Sequence, residues 1–238
     1  MLYLENMERR VAIFDVDGTI FRSSLLIELV RSLIENGLFP KSALQDFSLE
    51  EERWLNRKGD YDSYILAVVK VFMKHIKGVS YKEFMETTED MLLREQDHVY
   101  RYTRDLVVSL KKDGYYLLAI SQSPKSVVDS FCKRLGFDKI YGRIYELGPQ
   151  NKMTGNIVDL HLIENKANIL KRAVKKEGLT LSDSVGVGDT ESDIHFLELI
   201  DKPICFNPNK LLYRHAKLNS WEVIVERKDV IYTIPTKD

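Results

Sequence analysis

Short runs of apolar residues are spaced through most of the chain. Each is too short for a typical helix, and most are rich in β-branched or aromatic residues, so we predict buried strands. Amphipathic segments lie between these runs, and a strand that alternates with a helix is typical of an α/β fold with a Rossmann-like parallel sheet covered by helices on both faces. The predicted strands are residues 11–14, 115–120, 184–187, 203–206 and 221–225.

Local signals predict where three of the helices begin and end. One helix is expected after Ser123, which suits the N-cap, and Pro124, which suits the first turn. A second helix should begin at Lys166 and end before Gly178. A third should begin near Ser192.

The stretch from 23 to 98 has a different pattern. Its stripes of apolar residues have helical spacing and are closed by Gly37 and Gly78, and the spacing of Ser80 and Glu83 matches a capping box that starts another helix. This pattern predicts an all-helical insertion between the first and second strands. The predicted domains are a catalytic core of residues 1–22 and 99–238 and a helical cap of residues 23–98.

Polar residues follow three of the predicted strands directly. Asp15 and Asp17 follow the first strand, Ser121 follows the second, and Gly188 with Asp189 follows the third, with Asp193 four residues after Asp189. Ligands of open parallel sheets bind outside the carboxyl ends of the strands, so these side chains are expected to converge in one crevice. Several carboxylates in one place need a cation, and hard oxygen ligands suit Mg²⁺.

Positive groups are expected beside these carboxylates. A helix that begins near Pro124 points free N–H groups at the crevice, which favours an anion, and Lys166 adds a positive charge. Carboxylates and a divalent cation that face amide donors and a lysine are typical of a phosphate site with an internal nucleophile.

Composition argues against several other functional classes. The chain of 238 residues has 35 basic and 36 acidic residues and no basic stripe, which argues against a nucleic-acid partner. Cys132 and Cys205 belong to no CxxC pair, so we expect buried free thiols. The sequence has no signal-peptide pattern and no run near the ~18 apolar residues of a membrane span, so no membrane partner and a cytoplasmic location are expected.

Four motifs, in order along the chain, resemble the signature motifs of the haloacid dehalogenase superfamily. They are DVDGT at 15–19, Ser121 within ISQSP, Lys166, and GDTESD at 188–193. The helical insertion is similar to the cap of the type-I members. Residues 142–155 and 206–208 resemble the branch that includes the phosphoserine phosphatases.

This resemblance implies a role for each matching residue. Asp15 would attack phosphorus and form an aspartyl-phosphate, and Asp17 would act as general acid and then general base. The implied ligands of Mg²⁺ are the Asp15 carboxylate, the Asp17 backbone carbonyl, Asp189, and Asp193 directly or through water. The implied phosphate-binding residues are Ser121, Gln122 and Lys166.

Simpler roles stay open at some of these positions. Asp189 and Asp193 could be an ordinary acidic cluster at a helix N-terminus, Ser121 a strand-end serine, and Lys166 a solvated lysine. A calcium loop is excluded, because the position that requires glycine is Ile20.

The expected substrate is a small phosphorylated metabolite other than free phosphoserine. No acidic residue follows the first motif before Glu28, and the second motif continues with residues 122–124, QSP, where phosphoserine-specific members carry glycines. In the predicted cap, Arg57 or Lys58 could meet an acidic group of the substrate, or could simply end a helix in solvent.

The sequence therefore predicts a Mg²⁺-dependent phosphatase, and leaves two alternatives open. A phosphotransferase or mutase would use the same aspartyl-phosphate and pass the group to an alcohol. A non-catalytic module that binds phosphorylated ligands has less support, because it would need neither Asp15 nor Asp17 as a reactive group.

Overall fold

The computed structural model describes residues 9–159 and 165–236. The strands are β1 (Arg9–Phe14), β2 (Tyr116–Pro124), β3 (Lys139–Leu147), β4 (Met153–Val158), β5 (Leu179–Gly188), β6 (Lys202–Phe206), β7 (Glu222–Arg227) and β8 (Val230–Ile234). The helices are α1 (Leu25–Glu35), α2 (Gln45–Leu55), α3 (Tyr61–His75), α4 (Tyr81–Glu95), α5 (Arg101–Lys112), α6 (Lys125–Arg134), α7 (Lys166–Glu177), α8 (Ile194–Leu197) and α9 (Lys210–Asn219).

The eight strands form one sheet in the order β4-β3-β2-β1-β5-β6-β7-β8. Within this order, the six consecutive strands β3-β2-β1-β5-β6-β7 run parallel to one another, which confirms the predicted α/β sheet. Both edge strands are antiparallel, so the sheet is mixed. The strands β3, β4 and β8 were not predicted, and β8 is exposed on both faces, so no burial pattern marks it.

Alternate residues of each central strand enter two different hydrophobic clusters. On one face, Ala12 and Phe14 pack with residues of α1, α5 and α6. On the other face, Val11 and Ile13 pack with residues of α7, α8 and α9. This period of two is that of a strand buried on both sides, and it confirms the prediction of helices on both faces of the sheet.

Residues 23–98, all of which the structure describes, contain helices and no strand. Their apolar core is continuous with that of the sheet. Phe72 of α3 lies 6.1 Å from Phe39 and 6.5 Å from Phe84, centroid to centroid, and 5.2 Å from Tyr145 of β3. Aromatic contacts of this kind therefore join the helical segment to the sheet.

The helical segment leaves and re-enters the core at one place. Phe21 forms an antiparallel bridge with Val99, and the Arg22 N–H donates to the His98 carbonyl at 2.8 Å. These paired segments lie at the predicted boundaries of the cap. The division into two domains stays a prediction.

Two of the helix ends differ from the prediction. Pro124, not Ser123, is the N-cap of α6, and it makes no capping side-chain bond. Ser80 does precede α4, but its side chain does not cap that helix. The helix α7 ends at Gly178 in the left-handed conformation, as predicted.

Both cysteines are free and buried, as predicted. Burial raises the pKa of both thiols, which keeps them protonated and inert. No helix within the described ranges is long and apolar enough to cross a membrane.

Replacement of Phe72 by alanine tests the packing between helices and sheet. Because Phe72 is fully buried, we expect Phe72→Ala to lower the free energy of unfolding by about 3–5 kcal/mol in urea titrations. Leu66→Ala, on the same helix but 56% exposed, should change it by less than about 0.5 kcal/mol. Equal losses in the two variants would contradict this packing.

Candidate active site

Three carboxylates meet at the carboxyl edge of the central strands. Phe14 of β1 is paired with Val187 of β5, so the residues that follow the two strands, Asp15 and Asp189, come side by side. Asp193 joins them from the turn before α8. One carboxylate oxygen from each aspartate lies within 4.8 Å of the others, which is close enough for one cation to touch all three.

Lys166 is the cation that contacts this cluster among the described residues. It lies at the start of α7, is 5% exposed, and its Nζ contacts Asp15 Oδ1 and Asp193 Oδ1. Burial lowers the pKa of Lys166, but the two carboxylates outweigh burial and raise it. Lys166 is therefore charged and buried, rather than solvated.

One ammonium group is not enough for three carboxylates. Burial raises the pKa of Asp15 to about 7, although Lys166 opposes this shift. Burial, together with Asp15 and Asp193, raises the pKa of Asp189 well above its usual range. All three carboxylates can stay ionised together only if a further positive charge is supplied.

Asp193 holds the loop that carries Asp189. Its Oδ2 accepts hydrogen bonds from the backbone N–H groups of Asp189 at 3.0 Å and Thr190 at 3.2 Å, and the Thr190 side chain completes a capping box. A Cβ on Gly188 would lie 2.6 Å from the Cβ of Asp193. Only glycine at this position lets the Asp193 side chain reach both the loop and Lys166.

Gly18 makes room for Asp189. Its φ of +79° is in the left-handed region, and a Cβ added there would lie 2.2 Å from Asp189 Oδ2. The hydroxyl of the next residue, Thr19, donates to Asp189 Oδ1 at 3.2 Å. Of the first motif, Gly18 therefore leaves space for the Asp189 carboxylate and Thr19 orients it.

Asp17 lies in a separate network of neutral donors. Its Oδ1 accepts from the backbone N–H of Leu25, at the start of α1, at 2.6 Å. Its Oδ2 accepts from the Ser121 hydroxyl at 2.5 Å, and the Ser123 hydroxyl lies 3.1 Å and 3.0 Å from the two oxygens. Asp15 and Asp17 thus have different surroundings.

Ser123 was assigned to helix capping by the sequence, so its contact with Asp17 was missed. No local signal points to it, because its partner is 106 residues away. The neighbouring Gln122 has an exposed side chain that accepts from Arg143 at 2.9 Å. Its predicted role in phosphate binding stays a prediction, as does that of Ser121.

A cleft of about 800 Å³ lies between these residues and the helical segment. Asp189 lines it on the sheet side, and Glu28, Trp54 and Tyr61 line it on the other. The Glu28 carboxylate accepts from the Ser23 hydroxyl at 2.9 Å. Burial raises the pKa of Tyr61, and the negative charges of the nearby aspartates add to this shift, so its hydroxyl stays neutral.

Arg57 and Lys58 are not among the residues that line this cleft. The guanidinium of Arg57 lies over the ring of Trp54, 5.2 Å from its centroid, and both basic side chains are exposed. Their predicted contact with the substrate stays a prediction.

The donor set fits a hard divalent cation. Carboxylate oxygens from three aspartates suit Mg²⁺, which usually takes one or two carboxylates and fills its other positions with water and phosphate oxygens. Neither cysteine takes part, and no described histidine belongs to the cluster, so a site for a softer metal has no support here.

The family model for haloacid dehalogenase-like hydrolases matches residues 12–198. The chain belongs to this family. Its sequence is 26% identical over 224 residues to a histidinol-phosphatase of Neisseria meningitidis, covering 91% of this chain and 98% of the relative. The predicted family and the predicted hydrolase class are confirmed.

Solved structures confirm the fold. A protein of unknown function from Bordetella pertussis Tohama I aligns with a TM-score of 0.72 and 20% identity, covering 91% of this chain and 98% of that one. A structure described as a phospho-aspartyl intermediate analogue of phosphoserine phosphatase aligns with a TM-score of 0.61 and 21% identity, covering 93% and 95%. The predicted likeness to the phosphoserine phosphatase branch is supported by a relative in sequence, a phosphoserine phosphatase of Archaeoglobus fulgidus that is 25% identical over 210 residues, covering 87% of this chain and 55% of the relative.

Alanine substitutions at two glycines of similar φ, Gly18 and Gly37, distinguish backbone strain from a steric clash with Asp189. Gly18→Ala and Gly37→Ala should each lose about 1–2 kcal/mol of stability, because both have positive φ. Mg²⁺ is expected to raise the melting temperature of the wild type, and only Gly18→Ala should lose this rise, since nothing lies within 4 Å of a Cβ on Gly37. The same Mg²⁺ response in both variants would show that the Asp189 carboxylate does not need the space beside Gly18.

Proposed function

We propose that the protein is a Mg²⁺-dependent phosphatase that hydrolyses a small phosphomonoester through an aspartyl-phosphate on Asp15. The observation that carries this proposal is the position of the buried Asp15 carboxylate between Lys166 and the carboxylates of Asp189 and Asp193. A nucleophile, a fixed cation and a set of metal ligands are the parts that phosphoryl transfer requires.

In this proposal the two aspartates of the first motif do different chemistry. Asp15 attacks phosphorus and forms the aspartyl-phosphate, while Asp17 gives a proton to the leaving oxygen. Asp17 then takes a proton from the water that attacks the aspartyl-phosphate, and inorganic phosphate leaves. The ammonium of Lys166 favours the ionised carboxylate that Asp15 needs as a nucleophile, and the hydrogen bonds of Asp17 hold it apart from the carboxylate cluster.

The remaining residues of the site bind charge. Lys166 would neutralise a phosphoryl oxygen beside Asp15, and Ser121 would donate to another. Mg²⁺ would be held by the Asp15 carboxylate, the Asp17 backbone carbonyl, Asp189 and Asp193. When bound, it supplies positive charge to the phosphoryl oxygens and to the carboxylates that lack a partner.

A small substrate suits the dimensions of the cleft. A volume of about 800 Å³ is in the ~300–1,000 Å³ range of sites for small molecules. The names of the relatives, histidinol-phosphatase and phosphoserine phosphatase, describe small phosphomonoesters as substrates of those proteins. We therefore propose a small phosphorylated metabolite as substrate and a cytoplasmic location, with residues 23–98 as the cap over the cleft.

Hydrolysis of p-nitrophenyl phosphate tests the nucleophile. The wild type should release phosphate with Mg²⁺ and lose this activity with excess EDTA. Asp15→Asn should lower kcat at least about a thousandfold with little change in melting temperature, because an amide does not attack phosphorus. Asp105→Asn, at an exposed position on α5, is the matched control and should be fully active.

Two results would count against the proposal. Full activity of Asp15→Asn would exclude the aspartyl-phosphate on this residue. Transfer of the phosphoryl group to added alcohols, with no release of inorganic phosphate in their absence, would instead identify a phosphotransferase.

A further inference from the structure

The Asp17 carboxylate receives three different donors, and they differ in how freely they can move. The N–H of Leu25 belongs to the first turn of α1, which Ser24 caps by accepting from the N–H of Leu26 at 3.2 Å. This donor is fixed by the helix. The other two are serine hydroxyls, and a hydroxyl hydrogen can rotate about its C–O bond.

The proposed function requires one of these hydroxyls to change partner. Ser121 has a single hydroxyl hydrogen, which it donates to Asp17 Oδ2. If Ser121 is to donate to a phosphoryl oxygen, it must release Asp17. Its oxygen can stay in place during this change, because it accepts the backbone N–H of Ser123 at 2.9 Å.

Ser123 can keep a hydrogen bond to the Asp17 carboxylate when the Ser121 hydroxyl changes its acceptor. Its hydroxyl lies within hydrogen-bonding distance of both carboxylate oxygens, at 3.1 Å and 3.0 Å, and the residue is only 4% exposed. No other acceptor of the Ser123 hydroxyl is found among the described residues.

We propose that Ser123 is a positioning residue for Asp17, and this inference rests on the proposed function. When a phosphoryl group binds, Ser121 turns its hydrogen to a phosphoryl oxygen, and Ser123 with the N–H of Leu25 keeps the Asp17 carboxylate in place. In the proposed cycle Asp17 gives its proton to the leaving oxygen in the first step and regains one from the attacking water in the second, so its protonation is restored in each turnover. No bond to phosphorus involves Ser123.

The test uses two aryl phosphates of similar size that differ in the need for an acid. Phenolate is a poor leaving group, about as basic as tyrosinate with a pKa near ~10, so its departure needs the proton from Asp17. p-Nitrophenolate is much less basic and needs it far less. Asp17→Asn, as the reference, should therefore lower kcat/KM for phenyl phosphate much more than kcat/KM for p-nitrophenyl phosphate.

Ser123→Ala should reproduce this selectivity on a smaller scale. We expect kcat/KM, which reports the step in which the leaving group departs, to fall about tenfold for phenyl phosphate and less than about threefold for p-nitrophenyl phosphate, as for one lost hydrogen bond to a charged group. Ser123→Thr, which keeps the hydroxyl, should restore most of the loss. Ser130→Ala, which removes a hydroxyl bonded to Glu89 away from the site, should change neither rate.

The outcomes separate this inference from the function on which it rests. With an active wild type, an unchanged kcat/KM or equal losses of kcat/KM on both substrates in Ser123→Ala would overturn the role of Ser123 and leave the phosphatase intact. A wild type that hydrolyses neither ester would overturn both. Melting temperatures check folding, and Ser123→Cys, a similar side chain with a weak donor, replaces the alanine variant if that variant is unfolded.

Discussion

The site depends on the close packing of three carboxylates, two buried and one partly buried, around a single lysine. Asp15, Asp189 and Asp193 are held within 4.8 Å of one another, and Lys166 alone among the described cations contacts them. Such an arrangement carries an excess of negative charge that one ammonium group does not balance. The surrounding fold must hold these groups in place against their repulsion, and the cluster could hold a metal ion as a counter-charge.

Backbone geometry supplies that restraint. The parallel pairing of β1 with β5 sets Asp15 beside Asp189, and the backbone N–H of Asp15 donates to the Val187 carbonyl at 2.9 Å. Gly18 and Gly188 leave the space that the facing carboxylates occupy. The pattern of glycine and aspartate in the two motifs is thus explained by steric fit as much as by chemistry. Asp17, two residues from Asp15, escapes this cluster because it points toward α1 and the end of β2.

The central sheet and the meeting of the motifs could be predicted from the sequence because both follow from local patterns. Buried strands give continuous apolar runs, and chemistry at their ends converges whenever they lie parallel. The edge strands β4 and β8 could not be found in this way, since their exposed residues leave no clear alternation. Ser123 could not be assigned either. A serine before a proline suits a helix N-cap locally, and only the tertiary structure brings Asp17 within its reach.

The paired segments at Phe21 and Val99 have a further consequence for the architecture. Because the helical excursion begins and ends at neighbouring points, a tight turn from Arg22 to His98 would preserve the order of all eight strands. The sheet's connectivity is therefore independent of what is inserted there. Its surface is not, since removal of α3 would leave the ring of Tyr145 without Phe72 and facing water. An exchange of this insertion for another would thus have to supply a new apolar partner for β3.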